Sequence, residues 1–425
     1  MQSTVKYALF CKVALSVIAV SWAVFATADD RLALERTASI FHSYEFTPVV
    51  DTPPPEGFEP FYISHYGRHG SRRLAGTCVA DTCAVLENAA KKERLTDEGV
   101  ALLSAVRRIA EASVGMEGQL TERGAEEHRH LARRMALRFP KVFEGKRQVR
   151  CQSTEVPRVL ISQANFTMAL KDVAPGMDFS FVTGPKYTTL LNHRFRTRSG
   201  AKGGERKAKE KFDRAGIKTD GFLSRIFTTP EAIKNPLSFV RAIFAIASDC
   251  QCLRNELGGL DIYRFFTDDE IASLSRCMAA WHYMSQGNSP DFGDDRAWAA
   301  QWLARDFVER ADNAIADETV AADLRFGHDV GLAPLAILLG LEGSGDRVQP
   351  EYAEKLCPSW KWTPMAANLQ MVFYRNAAGE VFVKILYNER EILVRGLELA
   401  VGPYYRWRDL RAHILAAVNL WGKGL

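Results

Sequence analysis

Residues 60–72 read Pro60-Phe-Tyr-Ile-Ser-His65-Tyr-Gly67-Arg68-His69-Gly70-Ser-Arg72. Tyr62 and Ile63 are bulky strand formers that suit a pleated, half-buried surface. They run into a turn rich in glycine and cations, which gathers backbone amides, two guanidiniums and an imidazole at one strand end. An oxyanion site at the carboxyl end of a strand is the first expectation.

The flanking chain supports a strand there. Upstream, Arg31 to Phe41 has a helical pattern and leads into Thr52-Pro-Pro-Pro-Glu-Gly57, a stiff extended segment that cannot be helix. Downstream, Thr96-Asp-Glu starts a helix in which Val100, Leu103, Val106 and Ala110 recur at helical spacing, and Thr121-Glu-Arg starts another that stops at Pro140. Gln148 to Thr154 reads as a strand ending in hydroxyls, with Val159 to Leu170 as the helix after it and Arg158 at the junction. Strand, turn and helix thus occur twice, which argues for a parallel α/β core with ligands beyond the carboxyl ends of its strands.

Residues Gly221 to Glu318 read mainly as helix, with Trp281, Trp298 and Trp302 giving bulk for packing. Asp323-Leu-Arg-Phe-Gly327-His328-Asp329 then returns as a strand, and Leu332 to Leu341 follows as a helix that tolerates Pro334 in its first turn. Leu369 to Tyr374 and Val381 to Leu386 form a hairpin, and Arg408 to Trp421 an amphipathic helix. The expected fold is α/β, a mainly parallel central sheet flanked by helices. Its core takes residues 29–185 and 319–425, with a mostly helical domain inserted at 186–318.

Lys6 and Lys12 precede an apolar run from Val13 to Phe25 that ends in Ala26-Thr27-Ala28, the pattern of a secretory signal peptide over residues 1–28. The chain is therefore expected to be exported, periplasmic or secreted, and to keep no stable membrane anchor, because no later segment approaches about 20 apolar residues. Loss of the two lysines lowers the formal charge from +4 to +2, so global charge says little about partners. Beyond the signal, Cys78, Cys83, Cys151, Cys250, Cys252, Cys277 and Cys357 remain. In an oxidising compartment six of them are expected to pair, with Cys78 and Cys83 close enough to close a small loop. A second reading takes Cys250, Cys252 and Cys277 as metal ligands, although structural zinc sites usually show a second closely spaced pair.

One stretch departs from this neutrality. Lys186 to Lys218 holds eleven Lys or Arg against three acids, a surplus of eight. Either it is a solvated face, as charge runs usually are, or it is a basic rim, with Lys207, Lys209 and Lys211 at its centre, that focuses a field on a polyanionic ligand. Nucleic acid is disfavoured, since no binding module accompanies the charge and aromatics are not interleaved with it.

Three strand ends thus carry Arg68-His69-Gly-Ser-Arg72, Arg158 and His328-Asp329. Arg-His-Gly-x-Arg resembles the active-site loop of the histidine acid phosphatases, and Phe61 to Arg72 is similar to histidine-type phosphatases near multiple inositol polyphosphate phosphatase. Leu120-Thr-Glu-Arg-Gly, Asn368-Leu-Gln-Met-Val-Phe-Tyr-Arg and Gly402-Pro-Tyr-Tyr-Arg-Trp extend the resemblance over most of the chain beyond residue 28. It implies a phosphoglycerate mutase-like fold and hydrolysis of phosphomonoesters, inositol polyphosphates foremost, through a phosphohistidine and without a cofactor or metal. By the same resemblance His69 is the nucleophile, Asp329 the proton donor, and Arg68, Arg72, Arg158 and His328 hold the phosphate. The chemistry of each residue agrees: guanidiniums fork onto phosphate oxygens, and a histidine among cations stays neutral for attack. Two features depart from the family, Leu74 after the loop and Asp329 directly after His328 where multiple inositol polyphosphate phosphatases place Ala-Glu. A broad acid or sugar-phosphate phosphatase, and a catalytically silent protein that binds phosphorylated ligands, are the other readings.

Overall fold

A computed structural model describes residues 29–193 and 204–422. Its strands are β1 (Glu59–Arg68), β2 (Gln148–Ser153), β3 (Asp178–Val182), β4 (Val320–Gly327), β5 (Asn368–Arg375), β6 (Val381–Tyr387), β7 (Arg390–Glu391) and β8 (Tyr404–Arg406). They form one sheet in the order β3-β2-β4-β1-β5-β6-β7, with β8 beside β6. β1 to β4 pair in parallel. The hairpin β5–β6 extends the sheet antiparallel from β1.

The principal helices are α1 (Cys78–Lys91), α2 (Asp97–Ser113), α3 (Glu122–Arg138), α4 (Pro157–Val173), α5 (Gly204–Gly216), α6 (Pro236–Asp249), α7 (Asp268–Gln286), α8 (Gly293–Ala316), α9 (Asp329–Leu339) and α10 (Trp407–Gly422). Thr96 and Thr121 cap α2 and α3 by accepting from the Gly99 and Gly124 amides, which is why these two starts were readable. Tyr62 and Tyr66 point to one sheet face, where they meet Leu303 and Phe307 of α8, Leu335 of α9 and Ile414 of α10. Ile63, from the alternate position, faces Leu131 and Met135 of α3 and Val159 and Phe166 of α4. All eight residues of β4 are buried, as expected of a strand covered on both faces. Its two charges are compensated: Asp323 accepts from Arg150, Arg310 and Tyr62, and Arg325 pairs with Asp306.

A second apolar cluster lies apart from the sheet. Residues 217–277 of the expected insertion contribute to it, but Leu86, Leu102, Val106 and Ile109 of α1 and α2 complete it. α8 packs on the sheet instead, because Ala300, Leu303, Phe307 and Ala311 recur at helical spacing on the face it turns inward. Among the described residues, one helical stretch, Pro236–Leu257, is long and apolar enough to cross a membrane, a run the sequence reading passed over. Its Phe239, Val240, Ile243 and Phe244 are buried in the helical cluster.

The expected disulfides are not formed, and all seven described cysteines are free. Cys78 and Cys83 stand five residues apart on one helix, so their side chains leave it in different directions. Cys250 and Cys252 instead donate to the carbonyls of Ile246 and Phe41. Among the described residues no group of three or more His, Cys, Asp or Glu side chains is placed to hold a metal ion, so the metal-ligand reading of Cys250, Cys252 and Cys277 fails too.

Two buried histidines, His65 on β1 and His128 on α3, make the fold acid-sensitive. His65 and His128 pack against Phe166 and Phe326, and burial pulls both down to about 3, His65 with help from His128 and Arg325. The unfolded chain takes up these protons near pH 6.5, the folded chain only near pH 3. Stability is therefore whole above about pH 6.5 and lost as pH falls towards 3, by ~1.4 kcal/mol per pH unit for each histidine. Denaturant unfolding as a function of pH is expected to show a shallower acid slope in His128→Phe than in the wild type; equal slopes would contradict this account.

Candidate active site

Pairing register brings the three strand ends together. Arg68 stands opposite Gly327 in the β1–β4 pair, and Ser153 opposite Phe326 in the β2–β4 pair. The ladder continues one step further, since His69 N donates to Gly327 O at 3.1 Å and Thr154 N to Phe326 O at 3.3 Å. His69, Thr154 and His328 thus leave the sheet side by side. α4 then starts at Pro157 and α9 at Asp329, which sets Arg158 and Asp329 in the first turns of two helices where backbone N–H groups favour an anion.

The loop after β1 is clamped to α3. A Cβ on Gly70 would stand 2.4 Å from Gly124 O, and one on Gly124 only 2.1 Å from Ser71 O, so backbone meets backbone at both positions. The buried Glu127 carboxylate accepts from Ser71 N and Ser71 Oγ, each at 2.7 Å, and from Tyr44 N at 3.0 Å. Thr121 Oγ1 donates to Ser71 O and Gly70 N to Ser162 Oγ.

His69 is 2% exposed, and its Nδ1 lies 2.9 Å from Gly70 O. A carbonyl only accepts, so Nδ1 carries the proton and Nε2 keeps its lone pair. Burial, then the charges of Arg158 and Arg68, hold the ring well below its ordinary value and hence neutral. His328 stands beside it, ring centroids 5.5 Å apart, with Nε2 3.2 Å from Thr154 Oγ1; burial and Arg158 bring it down to about 3. Arg68 is buried and donates through Nη1 to Ile40 O and Thr363 O, while its Nε lies 3.9 Å from Asp329 Oδ1 with no hydrogen-bond partner. Arg72 donates to Arg73 O and lies over the Phe41 ring. Burial pushes the Asp329 carboxyl up, but Arg68, a 2.6 Å hydrogen bond from Gln286 Nε2, and His282 together hold it well below the carboxylate range.

Neither a family model nor a curated protein sequence matches the chain. Solved structures do. The multiple inositol polyphosphate phosphatase of Bifidobacterium longum in complex with inositol hexasulfate has a TM-score of 0.75 at 19% identity, covering 89% of this chain and 97% of that one. The same enzyme with phosphate gives 0.73 at 20% identity, covering 90% and 98%. The phytase of D. castellii gives 0.64 at 14% identity, covering 91% and 85%. The chain has the histidine acid phosphatase fold.

Within that fold, His69, Arg68, Arg72, Arg158, His328 and Asp329 come to one end of the sheet. The lysine rim does not stay together. Lys207 and Lys211 are exposed on α5, whereas Lys209 turns inward onto Asp213, which Arg241 also reaches at 3.1 Å. Arg194, Arg196, Arg198 and Lys202 of the basic stretch lie outside the described residues, as do residues 1–28. Sequence reasoning missed Glu127, His282 and Gln286. His282 and Gln286 stand four apart on α7, a spacing that shares a helix face but says nothing about what the face meets.

Removing the clamp should be costly. Glu127→Ala leaves three donors around Ser71 and Tyr44 without their acceptor, and is expected to lower stability by roughly 3 kcal/mol in denaturant unfolding, with Glu127→Gln losing less. A Glu127→Ala protein as stable as the wild type would show that the loop is held by other contacts.

Proposed function

We propose that the chain hydrolyses phosphomonoesters, inositol polyphosphates foremost, through a phosphohistidine on His69. One observation carries this reading: the Gly70 carbonyl accepts a hydrogen bond from Nδ1–H and so leaves the Nε2 lone pair of a neutral His69 among the cations Arg68, Arg72 and Arg158. The guanidiniums spread positive charge over the equatorial oxygens as Nε2 attacks phosphorus and the leaving oxygen departs in line. Asp329 donates a proton to that oxygen, and as carboxylate takes one from the water that then breaks the N–P bond. Acid-quench trapping is expected to recover a labile phosphoenzyme from the wild type and none from His69→Ala. A wild type that turns over no ester and traps none would favour a silent phosphate-binding protein.

Acid conditions suit this division of labour. The buried His69 and His328 stay neutral where an ordinary histidine is charged. Asp329 is ionised in the free enzyme, and a bound phosphate anion beside Arg68 opposes that hold and raises it. Turnover is expected to peak on the acid side and to fall towards alkaline pH as Asp329 loses its proton; a flat profile would remove Asp329 from the donor role.

The polyanionic substrate is supported by the shared fold with enzymes named for inositol polyphosphates and phytate, and by the surplus of positive charge in the sequence from Lys186 to Lys218. Lys207→Glu with Lys211→Glu is expected to weaken phytate turnover several-fold more than turnover of a small aryl phosphate, and equal losses would remove the argument. A broader acid phosphatase is the second reading, favoured by the burial of Lys209 in its ion pair with Asp213; a panel of esters including phytate separates the two. Export rests on the apolar run before residue 29, and seven free thiols add nothing to it.

A further inference from the structure

Asp329 must present its proton from one oxygen only, the one that faces the leaving group. A carboxylic acid has two, and rotation about χ2 exchanges them unless something distinguishes them. In this chain the two oxygens have different neighbours. Oδ2 accepts from Gln286 Nε2 at 2.6 Å, whereas Oδ1 is the oxygen near Arg68 Nε, at 3.9 Å. An oxygen that accepts a short amide hydrogen bond is the poorer place for a proton on the acid, so Oδ2 takes the carbonyl role and Oδ1 the hydroxyl role.

The geometry points to Gln286 as a positioning residue for proton transfer, one that fixes which oxygen of Asp329 is protonated and aims it at the departing alkoxide. This rests on the phosphomonoesterase reading above. Gln286 reaches Asp329 from the helical layer, on the last turn of α7, while Asp329 opens α9 on the sheet side. Both residues are buried, each 8% exposed, so water competes little for the contact. The proton on Oδ1 passes to the leaving oxygen as the P–O bond breaks and Nε2 of His69 bonds to phosphorus. In the second step Oδ1 takes a proton from water as the water oxygen displaces the histidine nitrogen. Gln286 keeps its own protons throughout.

Other charged and titratable groups face this carboxyl. They are Arg68 at the end of β1, His328 at the start of α9 and His282 one turn before Gln286 on α7. Tyr66 of β1 feels the Asp329 charge, and Arg158 and Lys209 act on it at one remove, through His328 and His282 respectively. None of these six side chains carries an amide, and it is Gln286 that is hydrogen-bonded to Oδ2. His282 and Gln286 also line a cavity of about 40 Å³, which gives a substituted side chain at position 286 room to settle.

Leaving-group dependence reads this role directly. An aryl phosphate whose phenoxide leaves readily needs little help from an acid, whereas an alkyl phosphate such as glycerol 2-phosphate depends on it. Gln286→Met is expected to lower kcat/KM on glycerol 2-phosphate by at least tenfold more than on p-nitrophenyl phosphate, in the same sense as Asp329→Asn. Gln286→Glu sets a second carboxyl beside the first, so the alkaline limb of the glycerol 2-phosphate profile is expected to move up by about one pH unit or more. Equal losses on the two esters in Gln286→Met, or an unmoved limb in Gln286→Glu, would overturn the assignment while leaving the phosphatase reading intact. Failure of the wild type to turn over either ester would overturn both.

Discussion

Arg68 carries a charge that no ordinary pH removes, yet only 1% of it is exposed. Burying a guanidinium is costly unless acceptors and an opposite charge surround it, and here two acceptors and one counter-charge come from three distant parts of the chain. Ile40 O arrives from the segment before β1, Thr363 O from the turn before β5, and the Asp329 carboxylate from the start of α9. The backbone is committed as well, with Arg68 N bound to Ala367 O. To place one cation at the end of β1, the fold must bring the N-terminal segment, the crossover into the hairpin and the last helix of the parallel unit to the same point. The cation is thus held by the fold itself, which favours electrostatic stabilisation without reorganisation.

What the sequence made legible follows from which interactions are local. Strand ends, capped helix starts at Thr96 and Thr121 and the closing hairpin are written in short windows, and each was found where the pattern placed it. That the candidate residues on β1, α4 and α9 share one edge was legible for a related reason, because parallel strands deliver their carboxyl ends to one edge whatever the loops do.

Contacts between layers leave no such trace. α1 and α2 join a cluster with residues more than a hundred positions later, and the helical spacing in α2 announces an apolar face but not the segment it meets. Gln286 looks like the last polar residue of a helix until the helix is set against Asp329. Counting charges could not show that Lys209 faces inward while Lys207 and Lys211 face out, since that depends on which side of α5 meets α7. Counting cysteines failed for the same reason, as compartment rules know nothing of distance.

The paired glycines at positions 70 and 124 also constrain how such a protein can change. With no side chain between them, the loop after β1 and the first turn of α3 occupy a single thickness of backbone. Any larger residue on either side would displace the other segment, and with it His69. A larger side chain in either stretch, some fifty residues apart, therefore has to be accommodated by a change in the other. A redesign that swaps the loop alone will inherit a mismatched floor, whereas one that transplants residues 67–74 together with 119–127 carries its own support.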